Sequence, residues 1–269
     1  MIERPLGHPD QLAEPAAEFG VTPDVRTDAV ELAAYREQVV SLTLSRFDKS
    51  AIPWAISQMQ WSKGPLRAVP QIGFLKLMGT GAGAGFSTVP NLRVWTILST
   101  WPNGHAAIEA QEAEVLRTRR SRACETATLF LAPISSRGRW AREAPFAPRN
   151  DFHRSGPIAA LTRATVRPAK LVRFWQRVPS ISRTIEGEAA VRFMLGMGEV
   201  PYLHQVTFSV WDDADAMGEF SRRSATHGEA VRRVAEEGWF SEQLFARFRP
   251  LSGTGTWNGR AANNLLGLE

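Results

Sequence analysis

A single cysteine, Cys124, stands in 269 residues, so an intramolecular disulfide and a cysteine-rich zinc site are both excluded and a reducing, cytoplasmic setting is expected. No uninterrupted apolar run reaches membrane-spanning length, and the opening MIERPLGHPDQLAEPAAE is acidic and proline-rich where a secretory leader is basic and then apolar. The expectation is a soluble chain, or one peripheral at the inner membrane surface. Lysine is scarce too: Lys49, Lys63, Lys76 and Lys170 are the only ones, and the rest of the 32 basic residues are arginine. Set against 27 acidic residues they leave a net charge of +5, which favours an anionic membrane surface or an acidic electron-donor protein. The five histidines form no HExxH or HxH pattern, and Cys-x-x-Cys is absent. A standard zinc site and a carboxylate-triad iron site therefore have no support.

What is present is a globular composition, 43% hydrophobic and 22% charged, arranged as an unadvertised repeat. VVSLTLSRF, FLKLMGTG, NLRVWTILSTW and TATLFLAP in the first half are answered by IAALTRATVRP, VRFMLGMG, LHQVTFSVW and EQLFARFRP in the second. Trp54 pairs with Trp175, Trp101 with Trp211 and Phe130 with Phe245. The runs alternate or are solidly apolar and the segments between them have helical period, which predicts β-α-β-β-α-β in each half. That is the ferredoxin-like order, and the fold class is α+β: two tandem ferredoxin-like repeats forming a fused dimeric α+β barrel. The expected boundaries are an N-terminal extension over 1–38 with a short helix from Thr27–Asp28 to Gln38, repeat 1 over 39–134, a linker over 135–154, repeat 2 over 155–251, and a tail over 252–269.

The stretch SATHGEAVRRVAEEGWF, Ser224 to Phe240, reads as one amphipathic helix. Helical steps from His227 land on Val231, Val234 and Gly238, so the imidazole shares the apolar face, while Glu229, Arg232, Arg233, Glu236 and Glu237 take the other. The window of repeat 1 that corresponds to it, EAEVLR, has no histidine. His227 is either a core histidine bonded to a carbonyl or a ligand. One axial histidine suffices for haem, because the porphyrin supplies four nitrogens. Cys124, after the basic RTRRSR run, is the competing ligand or simply packing. His204 alternates with Val206 and Phe208 along LHQVTFSV, lining a pocket or bonding a neighbour. Arg163, on the first strand of repeat 2, either faces solvent or, in a pocket, pairs with a haem propionate or polarises dioxygen. GTGAGAGFS leads into a second strand rather than a helix, so it predicts a hairpin or a lid and not a phosphate loop. RTRRSR predicts a solvated helix end, with a docking patch for an acidic redox partner as the alternative. Nucleic acid is not an expected partner, since the aromatics lie away from this run.

FLKLMGTGAGAGFSTVPN, APFAP, ALTRATVRP, GEVPYLHQVTFSVW and EGWFSEQLFARFRPL resemble the spheroidene monooxygenase family of carotenoid biosynthesis, from about Val39 to Leu251. The resemblance implies a haem b enzyme that uses O2 and two-electron reduction to oxidise C-2 of an acyclic carotenoid, spheroidene to spheroidenone, by successive hydroxylations. It also implies kinship with aldoxime dehydratases and staphylococcal-type haem oxygenases, and by position it assigns iron ligation to His227. On this reading Arg163 and His204 are catalytic, while His227, Arg163, Phe208, Val231 and Trp239 hold the cofactor. A reduced ferredoxin-type donor and a homo-oligomer are the expected partners. A polyene without charge calls for an apolar tunnel, with Leu42, Leu44, Trp54, Phe174, Trp175, Phe208, Trp239 and Phe240 as candidates. The alternatives are a haem enzyme of this scaffold that oxidises nitrogen or dehydrates another small molecule, and a carrier of hydrophobic ligands.

Overall fold

The computed structural model describes residues 25–83, 87, 89–148, 156–176, 188–223 and 238–268. Helix α1 (Val25–Ala34) precedes strand β1 (Val39–Arg46), and α2 (Ile52–Trp61) and α3 (Lys63–Arg67) lead to β2 (Leu75–Gly81). Strand β3 (Pro90–Trp101), helices α4 (Gly104–Glu109) and α5 (Glu114–Arg122), and β4 (Glu125–Gly138) complete the first half. The second half runs through β5 (Ile158–Val166), β6 (Val191–Gly198), β7 (His204–Trp211), α6 (Ala214–Arg223) and β8 (Phe240–Trp257), and ends in β9 (Arg260–Ala261) and α7 (Ala262–Leu266). Residues 171–176, between β5 and β6, are also helical.

The strand order is β4-β1-β3-β2-β6-β7-β5-β8, and β8 pairs back onto β4, so the ring closes into an antiparallel barrel. Each half contributes the 4-1-3-2 order of a ferredoxin-like sheet. The repeat is visible in the pairing: Val39 lies opposite Trp101 in the first half, as Ile158 lies opposite Trp211 in the second. One expected correspondence shifts. Val40 pairs with Leu131 and Ala159 with Phe248, so Phe130 corresponds to Arg247 and not to Phe245.

The inward residues of alternate positions fill the barrel. Val40, Leu42 and Leu44 of β1, Leu129 and Leu131 of β4, Ala159 and Leu161 of β5, Val206 and Phe208 of β7, and Leu244 and Phe248 of β8 form one buried cluster. Fully burying each large side chain contributes about 1.5–3 kcal/mol. The outward face of the first sheet is covered by helices: Leu66 of α3 and Leu116 of α5 pack on Leu77 and Ile97.

The two seams between the halves differ greatly. Eleven residue pairs join β4 to β8, from Ala127 opposite Gly255 to Gly138 opposite Leu244. Two pairs, Gly79 with Gly198 and Thr80 with Met197, join β2 to β6. The long seam also moves the expected boundaries. β4 runs to Gly138, into the stretch read as linker, and β8 runs to Trp257, into the stretch read as tail. Helix α1 ends at Ala34, short of Gln38.

Candidate functional site

The short seam opens a groove of 360 Å3 on the barrel wall, lined by Trp95, Trp175, Tyr202, Leu92, Met197 and His204 among others. Glycine makes the room: Gly79 and Gly81 on β2, and Gly196 and Gly198 on β6, put no side chain into it. A Cβ on Gly79 would meet the Trp95 ring at 3.3 Å, and one on Gly198 would lie 2.2 Å from the His204 carbonyl oxygen. Trp175 is held at the rim by its Nε1, which donates to the Tyr202 carbonyl at 3.2 Å, and the two rings meet edge to face at 5.7 Å. Val89, Leu92, Val200 and Tyr202 are exposed in the segments bordering the groove, an apolar margin of the kind that marks a binding surface.

Behind the groove, at the end of the barrel, sits a charged cluster that alternation aims inward. Arg163, on the same face of β5 as Ala159 and Leu161, is 2% exposed. Its Nη1 donates to Glu242 Oε2, and its Nη2 lies 3.9 Å from Glu199. Glu199 is the hub: it accepts from Trp140 Nε1 at 2.7 Å and pairs with Lys76 Nζ at 2.9 Å. His204 Nδ1 lies 3.5 Å from the same carboxylate, near enough for attraction but not aligned as a hydrogen bond. Glu242 in turn accepts the backbone N–H groups of Ala141 at 2.9 Å and Arg142 at 2.7 Å. Both of those residues have positive φ, 55° and 68°, in the turn that Trp140 and Glu143 close, so the carboxylate holds a turn that carries backbone strain.

The electrostatics follow from this packing. Burial lowers the His204 pKa, Glu199 opposes that shift, and the Arg163 and Lys76 charges add to it, so the imidazole is held below its ordinary value and is neutral at pH 7. Burial alone would raise Glu242, but the N–H groups of Arg142 and Ala141, and then Arg163, outweigh it and hold the carboxyl below the usual range. His204 therefore belongs to both sites. Its Nδ1 is buried beside Glu199 while the ring lines the groove, which leaves a neutral imidazole that can take up and pass on a proton at the groove.

Several expected residues are placed otherwise. Arg163 is not a solvent-facing arginine; it points into the barrel with its charge engaged by Glu242. Phe208, expected beside the cofactor, is fully buried in the barrel core, 6.3 Å from the ring of Phe193. Leu42 and Leu44 share that core. Trp54 packs on Phe47 at 5.7 Å, in the other half. Phe174 and Trp239 pack together against Val166, with Trp175 and Phe240 beside them. Cys124 is exposed at the end of α5, its Sγ 3.3 Å from the Arg46 carbonyl oxygen. Of the RTRRSR run, Arg117, Arg120 and Arg122 are exposed but Arg119 is buried. His227 and Val231, with His8 and His153, lie outside the described residues. Among the described residues no cluster of His, Cys, Asp and Glu could hold a metal ion by itself, and no helix is long and apolar enough to cross a membrane.

Glu199, Glu242, Lys76 and Trp140 were not anticipated. For the three charged residues the signal existed: each stands two residues from an inward position, Met197, Leu244 and Met78, so alternation alone turns it toward the barrel.

Comparison with known proteins places this geometry in context. No protein-family model matches the chain. The spheroidene monooxygenase of Rhodobacter capsulatus is 44% identical over 226 residues, 82% of this chain and 94% of that protein. The spheroidene monooxygenase of Cereibacter sphaeroides is 42% identical over 226 residues, 83% of this chain and 70% of that protein. Among solved structures, an aldoxime dehydratase in complex with butyraldoxime superposes with a TM-score of 0.54 at 10% identity, over 81% of this chain and 80% of that one. That likeness is one of fold.

Proposed function

The chain belongs to the spheroidene monooxygenase family, and from that membership we propose that it is a haem-dependent monooxygenase that converts spheroidene to spheroidenone at C-2. The observation that carries the substrate side is the groove at the short seam. It is apolar and aromatic, open at the surface, and flanked by exposed Val89, Leu92, Val200 and Tyr202, which suits an uncharged polyene longer than any enclosed pocket of this volume.

Haem fits the second half in one respect that bears on the described residues. Ala160, Thr162 and Ala164 of β5 alternate with the inward Ala159, Leu161 and Arg163, as Thr207 and Ser209 of β7 alternate with Phe208. Ala160 is covered by Met217 and Phe220 of α6, whereas Thr162 is exposed and Thr207 half-buried, so the small outer surface that could receive a flat macrocycle is the stretch around Thr162 and Thr207. His227 is the residue proposed to ligate the iron, and Trp239, buried against Val166 and Phe174, closes the apolar side of that region. When bound, the haem would supply dioxygen activation, which no side chain offers.

The chain's own residues bind, orient and move protons. Trp175, Tyr202 and Trp95 hold the polyene and keep water from the reacting carbon. His204, neutral at pH 7, faces the groove and relays a proton from solvent to it, and the Glu199 charge beside its Nδ1 favours the imidazolium formed on the way. Arg163 and Lys76 position Glu199 for that task. Each round takes one O2, two electrons and two protons, leaves one oxygen on the carbon and releases water. After the second round the gem-diol loses water to give the ketone.

The test is twofold. Protein expressed with ample iron should show a Soret band that His227→Ala alters. Cells that accumulate spheroidene should gain spheroidenone when they express it. Protein without a Soret band would remove the haem, and spheroidene left unchanged by haem-loaded protein would remove the substrate.

A further inference from the structure

The outer layer of the first half is one-sided in charge. From Lys49 to Ile108 the chain has no Asp or Glu. Helices α2, α3 and α5 border one groove on the outer face of the first sheet, with Leu66 and Leu116 turned down onto Leu77 and Ile97, so their exposed side chains look away from the barrel. On that surface Lys63 and Arg67 of α3 and Arg117, Arg120 and Arg122 of α5 are exposed. Glu114 is the only acid on the three helices. Among the described residues one carboxylate pairs with any of these five cations, Glu112 at 3.5 Å from Arg120, and both partners are exposed, a weak link in water. Helix α6, packed on the outer face of the second half, carries two acids and two arginines instead.

Large apolar side chains stand among these cations. Trp61, at the end of α2, is 74% exposed, and Ile56, five residues earlier, is 44% exposed. The groove between the helices measures 510 Å3 and has apolar walls in Trp54, Leu66, Val69 and Ile97, and the Arg122 guanidinium lies 5.0 Å over the Trp54 ring. Tryptophan beside arginine and lysine suits a bilayer interface, where the ring sits at the level of the headgroups and the cations meet lipid phosphates. An acidic electron donor would also meet the cations, but on the haem reading proposed above it must approach His227, which belongs to the second half. The seam groove adjoins the cationic face, because Trp95, which lines that groove, packs with Ala55 of α2.

We propose that the face formed by α2, α3 and α5 docks on an anionic phospholipid bilayer, with Trp61 and Ile56 at headgroup level and the five cations on lipid phosphates. The docking itself depends neither on haem nor on the identity of the substrate.

Cosedimentation of the full chain with phosphatidylcholine vesicles, with and without phosphatidylglycerol, tests it. The anionic vesicles should bind at least about tenfold more tightly. Each cation at such a surface is worth roughly fivefold, so the triple variant Lys63→Gln, Arg67→Gln and Arg117→Gln should weaken that binding by at least about thirtyfold. Arg137→Gln, Arg222→Gln and Arg247→Gln together remove the same charge from exposed positions elsewhere on the barrel, and should cost less than about fivefold. Brominated lipid in the anionic vesicles should quench tryptophan fluorescence, and Trp61→Phe should lose most of that quenching while the protein stays bound. All these substitutions fall on exposed side chains, so folding is preserved. Equal binding to both vesicles, binding to neither, equal losses in the two triple variants, or quenching that survives Trp61→Phe would overturn the proposal. Binding to polyglutamate without binding to either vesicle would assign the face to an acidic protein and overturn it as well.

Discussion

At the scale of single residues the cluster behind the groove is balanced around Glu199, which touches Trp140, Lys76 and His204 and faces Arg163. Glu199→Gln keeps the shape and removes the charge. Since Glu199 is the group that raises the His204 pKa against burial, the imidazole titration followed by NMR should move to lower pH in this variant, with a stability loss of about 2 kcal/mol because two cations lose a partly buried anion. Arg163→Met should act oppositely: removing that charge raises both the His204 and the Glu242 pKa. The pH dependence of stability follows from the same signs. His204 is held below its ordinary 6.5, so the unfolded chain binds the proton more tightly. Its contribution is complete above about pH 6.5 and is lost as pH falls from there to the folded value. Glu242, held below 4.5, contributes above about pH 4.5 and loses that as pH falls through its folded value. The melting temperature should therefore be level from pH 7 to 8 and fall in two stages in acid; a rise just below pH 6.5 would contradict the His204 assignment, and a rise below about pH 4.5 that of Glu242. His204 was legible as a residue sharing a face with Val206 and Phe208; its partners were not, because the sequence shows which face a strand residue takes and not what the next strand brings opposite it.

At the scale of elements, the strand lengths separate what sequence can show from what only closure can. SSRG from Ser135 reads as the start of a linker, and SGTGTW from Ser252 reads as a tail, because serine and glycine favour neither a helix nor a strand locally. In the barrel each runs on as a strand because an apolar strand of the other half lies beside it: Ser136 is opposite Ala246 of the EQLFARFRP run, and Thr254 is opposite Thr128 of the TATLFLAP run. Non-local pairing overrides propensity. The repeat order and the fold class survive that error because they rest on the period of the apolar residues, which closure does not alter. Gly138 is a tight point of the long seam: its φ is 98°, and a Cβ there would lie 2.1 Å from the Gln243 carbonyl oxygen. Gly138→Ala must part the two strands at that point and should cost at least ~3 kcal/mol. Gly218 lies inside α6, where a Cβ would meet only the end of the flexible Arg222 side chain at 3.3 Å, so Gly218→Ala should instead stabilise by about 0.5–1 kcal/mol. Calorimetric melting of the two variants reads the contrast, and equal effects would show that the β4–β8 seam yields more easily than its register implies.

At the scale of the whole molecule, the barrel is a ring closed firmly on one side and barely on the other, with eleven pairs at β4–β8 against two at β2–β6. Local opening follows the number of hydrogen bonds and buried contacts that must break together, so the short seam is where the ring gives way first. The groove with Trp95, Trp175 and Tyr202 straddles that seam, and so does the passage from outside to His204. Substrate bound there would bridge the halves and replace pairing that the backbone does not make. Hydrogen exchange distinguishes the seams: the amides of residues 79–80 and 197–198 should exchange at least a hundredfold faster than those of 129–132. Addition of spheroidene should slow the first set while leaving the second unchanged, since a ligand that binds only the closed form stabilises the segments it closes. Protection confined to the β4–β8 side would place the polyene elsewhere and leave the groove as a seam without a ligand.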